Sequence, residues 1–472
     1  VKELPFFIPW GCVHHGYLFS EVVEGVARVA QLAIKAYKKA ERIADRRPVA
    51  ASSLFMGLGQ ILFQRQYIKG AFFSLAELVV LINCTAFYSK IRGFITLGDA
   101  RPELPIMQRD NSLFMMVEGI IYIILFIAFI GLYIVNIRDA ASTQRKYQRT
   151  GSYPTTRHFL SSLADTSFAV VGLSPILVMI VFFILIPLLF SALIAFTNYS
   201  SPKNIPPANT VDWVGLKTFE EIANRPLWSG AFARTVIWTF VWAALATTTS
   251  YAGGMLMALT LLNRKLKLPR LFRSVYVLPY SVPAMLSLMV WRNLLNGQFG
   301  PVNGLLKQWG IIAQDIPWLS EIGLARFSCV LVNLWLGFPY FMMLITGVMT
   351  SVPADLYEAA QIDGASRRQQ FIKITLPLVL YQTIPLFIMS FSYNLNNFGA
   401  VYYLTQGGPT DTATTQSGAG GTDILMSWMY KLTYDLRQYN KAAVLAVLLF
   451  VVIAPFAIYN FSRTKAFKDG EL

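Results

Sequence analysis

An all-α integral membrane protein is the fold class predicted here, and three features of the sequence carry it. Hydrophobic residues make up 55% of the chain and charged residues only 14%, against roughly a quarter charged in an ordinary soluble domain. The apolar residues gather into eight runs long enough to cross a bilayer, which takes roughly 20 residues: about 70–88, 114–136, 168–198, 234–262, 274–294, 327–349, 378–400 and 441–460. The basic residues are shared unequally between the intervening loops. With the N-terminus inside, the inner loops hold 26 Lys and Arg and the outer loops 10, and such residues accumulate on the cytoplasmic side of a membrane. Both termini of this multi-pass protein are therefore expected in the cytoplasm. The formal charge of +15 then reports topology and gives no reason to expect nucleic acid as a partner.

Taken in order, residues 1–69 form a cytoplasmic or interfacial N-terminal region. The opening "VKELPFFIPWGCVHHGYLF" has an acidic residue beside its lysine, an early proline and no small-residue cleavage site, so it does not read as a secretory signal. Cys12, His14 and His15 lack the further ligands a metal site needs, and three widely separated cysteines indicate no disulfide framework. Residues 20–47 alternate apolar and basic positions at helical spacing. That pattern fits an amphipathic helix on the inner membrane face or one docked on a partner. "SSLFMGLGQILFQRQYIKG" is too short and polar to span and is expected to be interfacial or re-entrant. Residues 70–136 supply two peripheral spans carrying Glu77 and Glu118, which are costly in lipid and should face protein or water, either as polar links within the helix pair or as functional groups. A cytoplasmic linker follows at 137–167, then a six-span core at 168–460, then a cytoplasmic tail at 461–472.

The six core spans carry no Asp or Glu within their apolar stretches. Ion-driven carriers commonly place carboxylates there to bind a proton or sodium, so the energy for any transport is expected from elsewhere. No GxxxxGK[ST] phosphate loop is present, so this chain is not expected to hydrolyse nucleotide or to be an enzyme. One charged stretch interrupts the core: "VPADLYEAAQIDGASRRQQFIKITLP", within the inner loop 350–377. Pro353 and Asp355 are helix-start signals, Gly364 is a stop, and a second helix ended by Pro377 is expected after it. The arrangement is a helix, a tight turn and a helix, a shape suited to a cleft in a soluble partner.

This stretch resembles the EAA loop of permease subunits of ABC importers: Glu358, Ala359 and Ala360, then Gly364, then Ile374, Leu376 and Pro377 match its spacing. The resemblance extends over about 160–472. "LPYSVPAM", "NLWLGFPYFMM", "SYNLNNFG" and "LTQGGPTDTATTQSGAGGTDILMSWMYKLTY" are similar to the larger permease subunit of maltose/maltodextrin importers. The resemblance implies a coupling helix that docks on an ATPase, with Glu358 near polar groups of the docking groove, Ala359 and Ala360 permitting close approach and Gly364 making the turn. It implies as partners a second permease subunit, an ATPase dimer holding ATP and Mg, and an extracytoplasmic solute-binding protein. No cofactor on this chain is implied. The sequence departs from the enteric members in having only about 30 residues where those carry a folded domain after the third span.

Polar residues inside the core spans independently fit a sugar. Asn333, Asn394, Asn396 and Asn397 lie in apolar segments where an unpaired amide is costly, so some should face a wet cavity or each other. Amides can donate to and accept from sugar hydroxyls, and Tyr280, Trp335, Tyr340 and Tyr393 offer ring faces; aromatics at such spacing also serve packing. Asn394 and Asn397 should share a helix face at i, i+3. The resemblance implies a mid-membrane oligosaccharide site at Tyr280, Asn333, Leu336, Gly337, Tyr340, Tyr393, Asn394 and Asn397. Ala284 stands where the maltose-type pattern has Ser. The expected cargo is a maltose/maltodextrin-type oligosaccharide, with trehalose-like or glycerol-phosphate-like solutes as alternatives. An ion-coupled sugar carrier is the rival transport class. A membrane enzyme is disfavoured because the outer-loop carboxylates form no paired motif.

Overall fold

In the computed structural model the residues described are 45–101, 103–105, 108–154, 168–204, 210–262, 266–412 and 414–462. Helices account for the regular structure among them, and none of these residues forms an extended strand. Cys12, His14, His15, residues 20–44 of the expected amphipathic helix and the tail from 463 lie outside the described residues. The chain divides into two compact units, Val1–Leu193 with Pro202–Trp213, and Ile194–Ser201 with Val214–Leu472.

The first unit contains α1 (Arg47–Leu54), α2 (Leu58–Leu62), α3 (Tyr67–Ile82), α4 (Cys84–Thr96), α5 (Ser112–Thr150), α6 (Phe168–Ile180) and α7, Ile186–Ile194. Its longest element, α5, starts where the Asn111 side chain accepts from the Leu113 and Phe114 N–H groups and stops at Gly151, whose φ of 72° is left-handed. At 1.5 Å per residue its 39 residues measure about 58 Å, well beyond a hydrocarbon layer about 30 Å thick. The stretch expected to be interfacial or re-entrant folds as α1 and α2 and docks on α5 through buried polar groups. Ser52 Oγ donates to Gln60 Oε1 (2.6 Å), Gln60 Nε2 to Asn136 Oδ1 (2.9 Å), and Asn136 Nδ2 to the Ser52 carbonyl (2.9 Å). Each such bond contributes about 1 kcal/mol, and leaving one partner unpaired costs more. Glu77 accepts from the Met56 N–H and Glu118 pairs with Lys90 at 2.7 Å, so both carboxylates link elements of this unit.

The second unit holds α8 (Lys217–Asn224), α9 (Pro226–Leu261), α10 (Pro269–Ser281), α11 (Ala284–Leu294), α12 (Pro301–Gln308), α13 (Ile322–Ser351), α14 (Ala354–Ile362), α15 (Arg367–Gln370), α16 (Leu376–Asn396), α17 (Phe398–Thr405), α18 (Leu425–Tyr434) and α19, Tyr439–Ser462. Its centre is the α9–α13 pair, held close by small residues. A Cβ on Gly254 would lie 2.5 Å from Phe341 Cβ and 2.7 Å from the Met342 nitrogen, so only glycine lets the two backbones meet there. Phe341, Met342 and Ile345 from α13, Ala258 from α9 and Val379 from α16 fill one end of this packing. Trp238, Trp242, Val332, Val401 and Ile424 fill the other.

Among the described residues five stretches are long and apolar enough to cross a membrane unaided: Ser112–Thr150, Gly172–Ile194, Pro226–Leu261, Ile322–Ser351 and Arg367–Asn396. Several segments differ from their expected outlines. The run 70–88 is two helices bent by 58° at Asn83, and the run 274–294 is bent by 91° between α10 and α11. At the second bend Val282 is extended (φ −90°, ψ 136°), as a residue before proline prefers, and Pro283 has no N–H to continue the ladder. The last core run continues in α19, whose described apolar part, Tyr439–Val451, is short. Pro377 does not end the second helix of the charged loop. A π-turn, Phe371–Thr375, lets the Leu376 N–H reach the Phe371 carbonyl five residues back, so the helix widens ahead of the proline ring and runs on into α16. The same device, Val181–Leu185, precedes Pro187.

Candidate functional site

Two regions of the second unit concentrate the residues singled out from the sequence. The first is where α13 and α16 meet α9. Along α9, Trp242, Ala246, Thr247 and Ser250 recur at helical spacing on the face toward the other two helices. Asn394 donates from Nδ2 to Thr247 Oγ1 at 2.9 Å, and its backbone carbonyl accepts from Trp242 Nε1 at 3.2 Å. Asn333 Nδ2 lies 3.5 Å from both the Ala246 carbonyl and Ser250 Oγ. Tyr251 reaches α16 through its hydroxyl, 2.8 Å from Thr383 Oγ1. The costly amides of Asn333 and Asn394, both buried, are thus turned toward a neighbouring helix. Gly337 serves the same interface, since a Cβ there would stand 2.6 Å from Ser250 Oγ and 3.0 Å from its Cβ. Leu336 packs on the apolar cluster beside them.

The aromatic members stand differently. Tyr280 (56% exposed), Tyr340 (37%) and Tyr393 (66%) keep accessible ring surface; Trp335 is edge-on to Trp291 at 5.5 Å. Among the described residues no ring contact or hydrogen bond joins the three tyrosines to one another. Asn396 bonds back to the Ser392 carbonyl of its own helix at 3.3 Å. Asn397 is the break between α16 and α17 (φ −78°, ψ 70°), with its N–H 3.4 Å from the Asn394 carbonyl, so it shares a turn with Asn394 but lies past the last residue of α16. Thr247, Ser250 and Tyr251 were not singled out from the sequence, although the run "ATTTSYAGG" within an apolar segment is the signal that marks them.

The Gly/Thr-rich stretch quoted from the sequence forms a loop packed at one end of this unit, and its closure around a buried carboxylate was not expected. Between α17 and α18 the chain turns at Gln406 and Gly407 (φ 54° and 79°), and Gly408–Pro409 is cis. The turn is closed around Asp423, whose side chain is wholly inaccessible. Its carboxylate accepts from Lys431 Nζ, Ser427 Oγ and the Gly420 N–H, each at 2.7 Å. Burial pushes this carboxyl above its ordinary range, while Lys431, Gly420 and Ser427 all pull it back toward the charged form. A Cβ on Gly407 would overlap that carboxylate, which is why glycine stands there. Three arginines clasp the loop from α9, α11 and α13. Arg234 pairs with Asp411 at 3.2 Å, Arg292 donates to Gln406 Oε1 at 3.2 Å, and Arg326 Nε donates to the Gly421 carbonyl at 2.8 Å.

The second region is the charged stretch between α13 and α16. Helix α14 has no buried residue: Glu358, Ala359, Gln361, Ile362 and Gly364 are all exposed, and Ile362 reaches 87%. Ala360 is half-buried. Gly364, with φ 76° and open space around it, turns the chain. Ser366 then caps α15 by accepting from the Gln369 N–H, and Gln369 Oε1 accepts from the Ser366 N–H at 2.7 Å, a reciprocal cap that fixes where the next helix begins.

Comparison with known proteins settles the lineage. Residues 250–465 match the family model described as "Binding-protein-dependent transport system inner membrane component". The galactooligosaccharides transport system permease protein GanP of Bacillus subtilis (strain 168) is 36% identical over 419 residues, 88% of this chain and 97% of that protein. The chain belongs to the permease family of binding-protein-dependent ABC importers. This permease is also 33% identical over 436 residues to the maltodextrin transport system permease protein MdxF of the same organism, 91% and 98% of the two chains. Among solved structures, a bacterial ABC transporter involved in alginate import matches 64% of the permease and 96% of its own chain, with a TM-score of 0.52 and 18% identity; that likeness speaks for the fold alone. As a member of this family the permease is a multi-pass transport subunit and not an enzyme; ATP hydrolysis belongs to a separate subunit.

Proposed function

We propose that this permease carries a maltose/maltodextrin-type oligosaccharide across a prokaryotic inner membrane, together with a second permease subunit and an ATPase dimer that holds ATP and Mg. An extracytoplasmic binding protein delivers the sugar, and both termini lie in the cytoplasm. The observation that carries the reading is α14 with its Gly364 turn. A solvent-exposed helix bearing Glu358, Ala359 and Ala360 stands between two long apolar helices and is fitted to a groove in a soluble partner. Docked there, it passes closure of the ATPase pair to α13 and α16, which alternates access to the site between inward and outward. The accessible rings of Tyr280, Tyr340 and Tyr393, with Asn397 at the helix break, supply stacking and hydrogen bonds to the sugar. Asn333, Leu336, Gly337 and Asn394 hold the helices that present them. The scarcity of carboxylates in the core spans and the likeness to MdxF support an ATP-driven oligosaccharide importer over an ion-coupled carrier.

A galactooligosaccharide cargo is the second reading, favoured by the likeness to GanP. Uptake of labelled maltotriose and of labelled β-1,4-galactobiose into vesicles reconstituted with the native complex and its binding protein separates the two. Maltotriose taken up, with weak competition from galactobiose, is expected; the reverse preference moves the cargo to galactooligosaccharides. Uptake driven by an ion gradient without ATP would end the ABC reading of the energy source.

A further inference from the structure

The coupling reading leaves open how a helix that touches so little of its own protein can pull on the membrane core. Helix α14 buries no residue of its own, and a flexible knob on a Gly364 pivot would move without transmitting anything. One side chain on α14 points the other way. Tyr357 is half-buried, and its hydroxyl lies 2.9 Å from Thr375 Oγ1, a buried group on the far side of the loop. Thr375 is the last residue of the π-turn Phe371–Thr375, directly ahead of Leu376 and Pro377. A π-turn is a single wide turn within an α-helix, and passing to ordinary α spacing requires only a shift of backbone partners. Here the Leu376 N–H bonds Phe371, and the proline ring beside it, which crowds the carbonyl four residues before, favours the wide form.

We propose that the Tyr357–Thr375 hydrogen bond is the mechanical tie of this loop and that the Phe371–Thr375 π-turn is the element it works on. Movement of α14 pulls on Thr375, and the wide turn takes up or releases the displacement at the foot of α16. Tyr357 is a positioning residue in this scheme: it meets neither ATPase nor sugar and acts through Thr375. The inference rests on α14 being the ATPase-docking helix, and its test separates the two ideas.

The measurement is hydrogen–deuterium exchange on the intact complex purified from the native membrane, nucleotide-free and trapped with ATP and vanadate. Wild type is compared with Tyr357→Phe, Thr375→Val and Thr375→Ser. Protection of 354–362 by the bound ATPase, lost when the ATPase is stripped, reports docking. An ATP-dependent change of exchange at 371–377 reports transmission. In wild type and Thr375→Ser, which keeps the hydroxyl, both signals are expected. In Tyr357→Phe and Thr375→Val the docking signal is expected to remain while the response at 371–377 shrinks roughly three- to tenfold, the effect of losing one hydrogen bond. The double variant should be no worse than either single one. A response at 371–377 that is unchanged in Tyr357→Phe with docking intact overturns the tie. Absence of ATPase protection over 354–362 in wild type overturns the docking reading itself.

Discussion

Replacing Asp423 by Asn changes one atom of a buried carboxylate and removes its charge. In the native loop that carboxylate receives three donors at 2.7 Å, from Lys431, Ser427 and the Gly420 N–H. The amide can turn its NH2 toward Ser427, whose hydroxyl also accepts, and keep its oxygen for the other two. What it cannot supply is the charge opposite Lys431. Removing one member of a buried ion pair costs about 3–5 kcal/mol. Lys431 keeps 19% of its side-chain surface and can turn toward water, which lowers the expected cost to about 2–3 kcal/mol. The loss falls on opening of the 406–424 loop. At about 1.4 kcal/mol per tenfold, exchange of the Gly420 and Thr422 amides should accelerate roughly 30- to 140-fold in detergent-solubilised protein. Adding Lys431→Met to Asp423→Asn should recover part of that loss, because the stranded ammonium is gone. If Asp423→Asn leaves loop exchange within about threefold of wild type, the buried pair is not what closes the loop.

Gly254→Leu places a branched side chain where a Cβ already meets Phe341 Cβ and the Met342 nitrogen; overpacking of about 3 kcal/mol or more should appear as loss of the monodisperse peak after detergent extraction. Asn394→Ala removes the 2.9 Å bond to Thr247, and interhelical bonds in membranes average about 0.6 kcal/mol. Its melting temperature should fall by about one degree while maltotriose-stimulated ATP turnover stays within about threefold of wild type. Tyr393→Ala, at an exposed ring, should do the opposite, sparing the melting temperature and reducing sugar stimulation about tenfold, as loss of a stacking ring implies. Gly364→Ala meets no neighbouring atom but carries a φ of 76°, so it should cost about 1 kcal/mol and leave ATPase co-purification intact.

Much of this architecture was legible because hydropathy and helix punctuation are local properties. Pro353 and Gly364 bracket the exposed helix α14, each a residue whose chemistry acts within a turn, whereas α5 was outlined only over its apolar run 114–136: its caps, Asn111 and Gly151, were not singled out, and the helix continues to Thr150 through part of the expected linker. The 91° break at Val282–Pro283 was hidden because apolar residues continue through it, and a hydropathy run says nothing about direction. Pro377 was read as a stop because a proline interrupts the α ladder; the π-turn ahead of it offers the ladder another register. The amides of Asn333 and Asn394 were recognised as too costly to leave unpaired, but whether they turn to a solute or to α9 depends on which helix lies alongside. Asp423 looked like one of several scattered loop carboxylates. Its burial depends on the 406–424 loop closing over it, a tertiary event that the spacing to Lys431 does not announce.

The most direct test of the central claim is co-purification in mild detergent from the native membrane, wild type beside a Glu358→Lys, Gly364→Lys double variant, with the accompanying chains identified by mass spectrometry. An ATPase and a second permease travelling with the wild type, and the ATPase missing from the variant, is the expected result. A wild-type chain that emerges alone, or a variant that keeps its ATPase in full, would contradict the assignment of α14 and its turn as the point where ATP drives this permease.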